Sequence, residues 1–268
     1  MQSKATTLLQ YFKNSPDLKI NSEAYPFENF KFSDEKITES EFVFPKNSVL
    51  GMQAEACFEA YLKQSKNYEL LAANIQINGE IETLGELDYI VRNLKTEEIV
   101  HIELACKFYL YEQNADTSEE EKWIGPNRKD TLFDKLEKLK LKQFPLLYKD
   151  ETIQKLQTLH IEIPTSQQLC LKTFLFLPKK MSAEKFPKAF HDCIVGYYIN
   201  SSHFEKDETA LYAIPNKKEW LLPIDEMNNW HTFSETKQLI ETQLKIKKSP
   251  LIYKKTPHNI ERFFIIWW

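Results

Sequence analysis

Glycine is scarce in this chain: five in 268 residues, at positions 51, 79, 85, 125 and 196. No Gly-rich phosphate loop of the dinucleotide or P-loop type can be written from them, which removes two large enzyme classes. Cysteine is sparse as well. Cys57, Cys106, Cys170 and Cys193 stand far apart and form no CxxC pair, so no structural zinc site is expected. Each lies in an apolar run and reads as a buried free thiol of a reducing compartment. The histidines at 101, 160, 191, 203, 231 and 258 show no metal-like spacing. No window approaches the ~20 apolar residues of a membrane span. The N-terminal MQSKATTLLQYFKNSPDLKI lacks the continuous apolar core of a secretory signal. A cytoplasmic protein with no membrane partner is therefore the expectation, and no oligomeric state follows from the sequence.

The composition itself is that of a folded, water-soluble domain, with 28% charged and 42% hydrophobic residues. The net charge of −4 means that any nucleic-acid contact has to come from a local basic face. Three segments are expected. Residues 1–47 carry an N-terminal helix and an aromatic arm (Tyr25, Phe27, Phe30, Phe32, Phe42, Phe44) that packs on the body. Residues 48–178 form a core of helix, three strands, helix and strand. Residues 179–268 form a strand-rich C-terminal extension packed on the core, with strands at Cys193–Ile199, Ala210–Ile214, Trp220–Leu222 and the terminal FFIIWW. The fold class is α/β, with a mixed sheet.

The most informative stretch is Thr83 to Tyr111, TLGELDYIVRNLKTEEIVHIELACKFYLY. It reads as two strands joined by a polar turn. Residues two apart on a strand share a face, so Glu86 and Asp88 point one way on the first strand. His101, Glu103, Ala105 and Lys107 share a face on the second. Pairing the strands brings acids from both onto one side of a sheet. Two nearby carboxylates are hard to keep ionised without a counter-charge, and an all-oxygen set suits Mg²⁺ or Mn²⁺. With a lysine close by, that is the chemistry of phosphodiester hydrolysis.

Two flanking helices bear on the same site. In Ser48–Lys63, Glu55 shares the apolar stripe of Phe58 and Leu62, while Glu59 sits at its edge; either could equally be a surface glutamate. The stretch Arg128–Lys142 carries Arg128, Lys129, Lys135, Lys138, Lys140 and Lys142 against Asp130, Asp134 and Glu137. It reads as a solvated helix face or as a phosphate-backbone contact through Arg128, Lys129 and Lys135. His101 reads as a strand-edge histidine or a third polar group of the site. The acids could also be no more than the solvent face of a hairpin, with Glu103 and Lys107 a surface ion pair.

GELD, a hairpin and then IELACK resemble the PD-(D/E)xK nuclease superfamily over roughly 48–177. The resemblance implies a restriction-endonuclease-like αβββαβ core. It implies Asp88 as the metal-bridging carboxylate, Glu103 as the second ligand, Glu55 as an accessory glutamate and Lys107 as the catalytic lysine. One departure is plain: Ala105 stands where the pattern has lysine, and Lys107 is two residues further on. At finer grain LGMQAE, GELDYIV, IELACKFYL and WIGPNRKDTLFDKL resemble a bacterial family, domain-of-unknown-function family 1853, with KTFLFLP and WLLP extending the likeness into the C-terminal half. The expectation is a Mg²⁺- or Mn²⁺-dependent nuclease acting on DNA or RNA. The alternative is a non-catalytic nucleic-acid-binding or protein-interaction module on the same fold.

Overall fold

The computed structural model describes residues 4–35, 42–113, 117, 118 and 120–268. The polar segment 112–122 thus falls partly outside the described residues. In chain order the elements are α1 (Lys4–Asn14), β1 (Glu28–Asn29), α2 (Leu50–Gln64), β2 (Tyr68–Asn78), β3 (Thr83–Asn93), β4 (Ile99–Tyr111) and β5 (Trp123–Ile124). Then come α3 (Leu132–Lys138), a π-helical turn (Leu139–Gln143), α4 (Phe144–Leu146), α5 (Asp150–Thr158) and β6 (Ser166–Pro178). The chain closes with α6 (Lys188–His191), β7 (Ile194–Asn200), β8 (Leu211–Ala213), α7 (Phe233–Lys245), β9 (Leu251–Lys255) and β10 (Ile260–Ile266). The class is α/β with a mixed sheet. No helix among the described residues is long and apolar enough to cross a membrane.

The chain divides into two compact units, and β4 and β6 each run from one into the other. The first unit holds 1–45, 51–106 and 134–172. Its strands lie in the order β2-β3-β4-β6, with β2, β3 and β4 antiparallel and β1 added parallel to β6. β4 is buried almost residue by residue, as a strand covered on both faces must be. Ile75, Ile77, Leu87, Ile90 and Ile99 meet Leu146, Leu147 and Leu156 in one apolar cluster. The glycine of GELD belongs to this packing: a Cβ on Gly85 would fall 2.8 Å from Leu146 Cδ2. Helix α2 buries the expected stripe of Phe58 and Leu62, together with Ala54, Cys57 and Tyr61. The aromatic arm packs as expected, Phe30 lying 5.0 Å from Phe58 and 5.2 Å from Tyr68, ring centre to ring centre.

A lysine that the sequence reading passed over is sealed into this unit. Lys172 is 1% exposed. Its amine donates to the carbonyls of Lys13 at 3.0 Å and Ser15 at 2.9 Å and stands 4.2 Å over the Phe32 ring. Its charge also offsets the burial that raises the pKa of Asp17.

The second unit holds 46–50, 107–133 and 173–268. Here β7 is parallel to both β6 and β10, while β9 and β8 continue antiparallel. Helix α7, started by a Thr232/Glu235 capping box, covers a cluster that includes Tyr212, Ile240, Ile252 and Phe263. The expected strand at Trp220–Leu222 is instead a turn between two short 3₁₀ segments, Lys217–Glu219 and Ile224–Glu226. The Asn216/Glu219 capping box starts the first segment, and Pro223 cannot donate to a sheet ladder. The last strand also ends at Ile266, short of the two tryptophans. All four cysteines are free; Cys106 is half-buried and the other three are buried.

Candidate active site: an opposed carboxylate pair

The β3–β4 ladder runs from Arg92 opposite Ile99 to Tyr89 opposite Ile102 and then stops. The next two residues across the ladder are Asp88 and Glu103. The strands part at this point, and the Leu104 N–H donates to Asp88 Oδ2 at 2.8 Å. A side chain has taken a place that backbone would otherwise fill, which satisfies the amide and fixes the carboxylate. Glu103 is fully buried, and its side chain lies within hydrogen-bonding reach of Asp88.

Burial raises the pKa of Asp88 first, and the facing Glu103 charge raises it further. Burial likewise raises that of Glu103. Lys135, acting on both, pulls the other way. The pair therefore holds protons to higher pH than free carboxylates do, because two unpaired negative charges are costly in a low-dielectric setting.

Both oxygens of Glu103 are held. Oε1 lies 3.0 Å from His101 Nε2, and Oε2 accepts from Gln143 Nε2. The donors can be assigned. Gln167 Nε2 approaches both the Phe144 carbonyl, at 2.9 Å, and His101 Nδ1, at 3.0 Å. A carbonyl only accepts, so the amide faces it with N–H, and Nδ1 accepts the second hydrogen. The His101 proton is then on Nε2, donated to Glu103. Burial lowers the His101 pKa to about 4, so this contact is a hydrogen bond of a neutral ring and not an ion pair. The expectation of a strand-edge histidine is corrected: His101 is fully buried, because β4 is an interior strand.

Gln143 is oriented by the same logic. Lys135 Nζ, which can only donate, contacts Gln143 Oε1 at 2.7 Å, leaving the amide hydrogens for Glu103. Lys135 and Gln143 are eight residues apart. In regular α-helix that separation leaves them about 80° out of alignment. The π turn at Leu139–Gln143 widens the helix, reduces the rotation per residue and swings Gln143 back beneath Lys135. π turns concentrate at functional sites for such reasons.

The other sequence-predicted residues divide. Glu55 is half-buried on α2, and its pKa is raised by burial, then by the charges of Asp88 and Glu86. It belongs to the same acidic field. The Tyr89 hydroxyl donates to the Glu55 carbonyl at 2.9 Å, seating that turn of α2 on β3. Glu59 forms an i,i+4 ion pair with Lys63. Lys107 lies in the second unit, where its amine meets Asp130 at 2.7 Å. The lysines whose charge reaches the carboxylates are Lys135 and, for Glu103, Lys138. Arg128 pairs with Glu112 and covers the Trp268 ring at 4.6 Å, and Lys129 is exposed. Of the three expected phosphate contacts only Lys135 stands at the carboxylates. Gln143 and Gln167 were not anticipated; their signal lies in the tertiary contacts alone.

Among the described residues, no group of three or more His, Cys, Asp or Glu side chains is placed to hold a metal. The Asp88–Glu103 pair is the set that could hold one: two carboxylates, to which Mg²⁺ would add water and substrate phosphate.

A family model described as "Domain of unknown function (DUF1853)" matches residues 26–266. No curated protein and no solved structure matches the chain.

Proposed function

For this chain, which belongs to the DUF1853 family, we propose the function of a Mg²⁺- or Mn²⁺-dependent nuclease that hydrolyses phosphodiester bonds of DNA or RNA. One observation carries the reading: two opposed carboxylates from adjacent strands, Glu103 buried and Asp88 half-buried where the ladder opens, with a lysine charge acting on both. The resemblance of GELD and IELACK to the PD-(D/E)xK pattern supports the same reading.

Asp88 and Glu103 would hold the cation, with Glu55 adding negative field beside Asp88. When bound, the ion supplies a Lewis acid toward a phosphoryl oxygen and lowers the pKa of a coordinated water. Gln143 and His101 grip the two oxygens of Glu103 and keep the carboxylate from rotating. Lys135, tied to Gln143, brings positive charge to the place where a scissile phosphate gains negative charge. In this reading Lys135 performs from a helix the task that the strand pattern assigns to a lysine at the position of Ala105.

The test is incubation of purified protein with single-stranded, double-stranded and branched DNA, and with RNA, in Mg²⁺ or Mn²⁺. Cleavage is expected for the wild type, lost in Asp88→Asn and reduced at least tenfold in Lys135→Met. Cleavage that persists unchanged in Asp88→Asn would sink the proposal. Nucleic-acid binding without cleavage would leave the non-catalytic alternative.

A further inference from the structure

Behind the carboxylate pair, in the same unit, lies a cavity of about 510 Å³ to which no role is yet assigned. Its walls include Phe27, Phe144 and Tyr148, with Lys140 at the rim and Ser166 and Gln167 on the polar side. The volume is that of a small-molecule pocket. We propose that this cavity is a base pocket that receives one unpaired nucleobase of a single-stranded substrate. The proposal rests on the nuclease reading and names its substrate class.

Four observations support it. The first is the aromatic wall. Phe27 and Phe144 lie 5.1 Å apart, ring centre to ring centre, and Tyr148 is 62% exposed. A solvent-facing tyrosine sharing a cavity with two phenylalanine rings offers a stacking surface for a flat heterocycle. The second is an unmet polar group: the Ser166 hydroxyl oxygen is out of solvent and has no partner among the described residues. Gln167 has both amide hydrogens committed to Phe144 and His101, which leaves its Oε1 as an acceptor. A nucleobase edge carries both donors and acceptors; a plain hydrocarbon ring would leave these groups dry.

The third is charge. Lys140 is exposed at the rim, its amine 5.5 Å over the Tyr25 ring, placed for the phosphate that every nucleotide carries. Glu28, the one acid among the described residues lining the cavity, disfavours a phosphate on its own side and so orients the strand. The fourth is continuity. Phe144 and Gln167 line the cavity, and through His101 they reach Glu103. A base seated here lies one hydrogen-bond chain from the carboxylates. Paired bases are inaccessible inside a duplex, so the pocket selects unpaired strands.

The experiment is fluorescence anisotropy in EDTA with a labelled single-stranded oligothymidylate and with a blunt duplex of equal length. Tyr148→Ala is the variant of choice, because its ring is exposed and its removal leaves the core intact. We expect it to weaken single-strand binding about 5- to 150-fold and to leave duplex binding unchanged. Lys140→Gln should lower the salt dependence of single-strand binding by about one unit of slope. Equal weakening of both probes, or no change in either, overturns the pocket. Cleavage assays separate the two proposals. Mg²⁺-dependent cleavage without a Tyr148-dependent strand preference removes the pocket and keeps the nuclease. A Tyr148-dependent preference without cleavage keeps the pocket and removes the nuclease. Absence of nucleic-acid binding at low salt removes both.

Discussion

Replacing Asp88 by asparagine should make the metal-free protein more stable, and only above mildly acidic pH. The substitution keeps the shape and retains an oxygen to accept the Leu104 N–H, but it removes one of two facing charges. Two unit charges about 4 Å apart in an effective dielectric of ~20 repel by ~4 kcal/mol. Lys135 and the Leu104 amide offset part of this, so about 2 kcal/mol is the expected gain at pH 8. The direction with pH follows from linkage. The folded-state pKa of each carboxylate is raised, so the native state holds more protons than the unfolded chain. Stability of the wild type then falls as pH rises from the ordinary carboxylate range toward the raised values. The asparagine variant escapes most of that fall. The assay is thermal unfolding in EDTA from pH 5 to pH 8.5, for both proteins. Near pH 5 the two should melt together. By pH 8 the variant should melt about 4–8 °C higher, at ~2–4 °C per kcal/mol for a chain of this size. A variant that melts lower at pH 8, or by an equal margin at every pH, would refute the reasoning, since the pair would then not be carrying charge strain.

Other substitutions probe the surroundings. Gln143→Leu strips the hydrogen-bond donor from Glu103 Oε2 and the acceptor from Lys135; a loss of about 1–3 kcal/mol is expected in urea denaturation. Lys172→Met removes two carbonyl contacts and the positive charge that acts most strongly on Asp17, so a loss of about 3–5 kcal/mol is expected by the same measurement. Gly196→Ala would put a Cβ 2.1 Å from the Arg262 carbonyl oxygen and 2.9 Å from the Phe176 ring. β7 and β10 pair at this point, and a drop in melting temperature with little soluble yield is the expected outcome.

The sequence reading and the structure agree where a local rule suffices. The hairpin read at Thr83 to Tyr111 is found with its second strand ending at Tyr111, and period-2 geometry put His101 on the face of Glu103. Helical periodicity identified the buried stripe of α2. Pairing of the two strands was enough to bring the acids of both, Asp88 and Glu103 among them, onto one side of the sheet; their direct opposition is set by the register of the ladder. The remainder depends on contacts that no local rule encodes. The Lys107 side chain is taken by Asp130, 23 residues later, because the chain closes on itself between Gly125 and Asp130. Gln143 reaches Glu103 only because a π turn resets the helix, and nothing in KLKLKQF announces one. Nothing local marks Lys172 as buried, because its carbonyl partners lie 157 and 159 positions away.

The account centres on the Asp88–Glu103 pair as a divalent-cation site, and calorimetric titration of Mn²⁺ tests it most directly. Near pH 6, where the raised carboxylate pKa values of about 7 leave protons on the pair, the wild type should bind near one equivalent and release protons from it, seen as a heat that changes with the ionisation enthalpy of the buffer. Asp88→Asn should bind at least tenfold more weakly without that dependence. No binding at millimolar Mn²⁺, or binding that Asp88→Asn leaves untouched, would contradict the account.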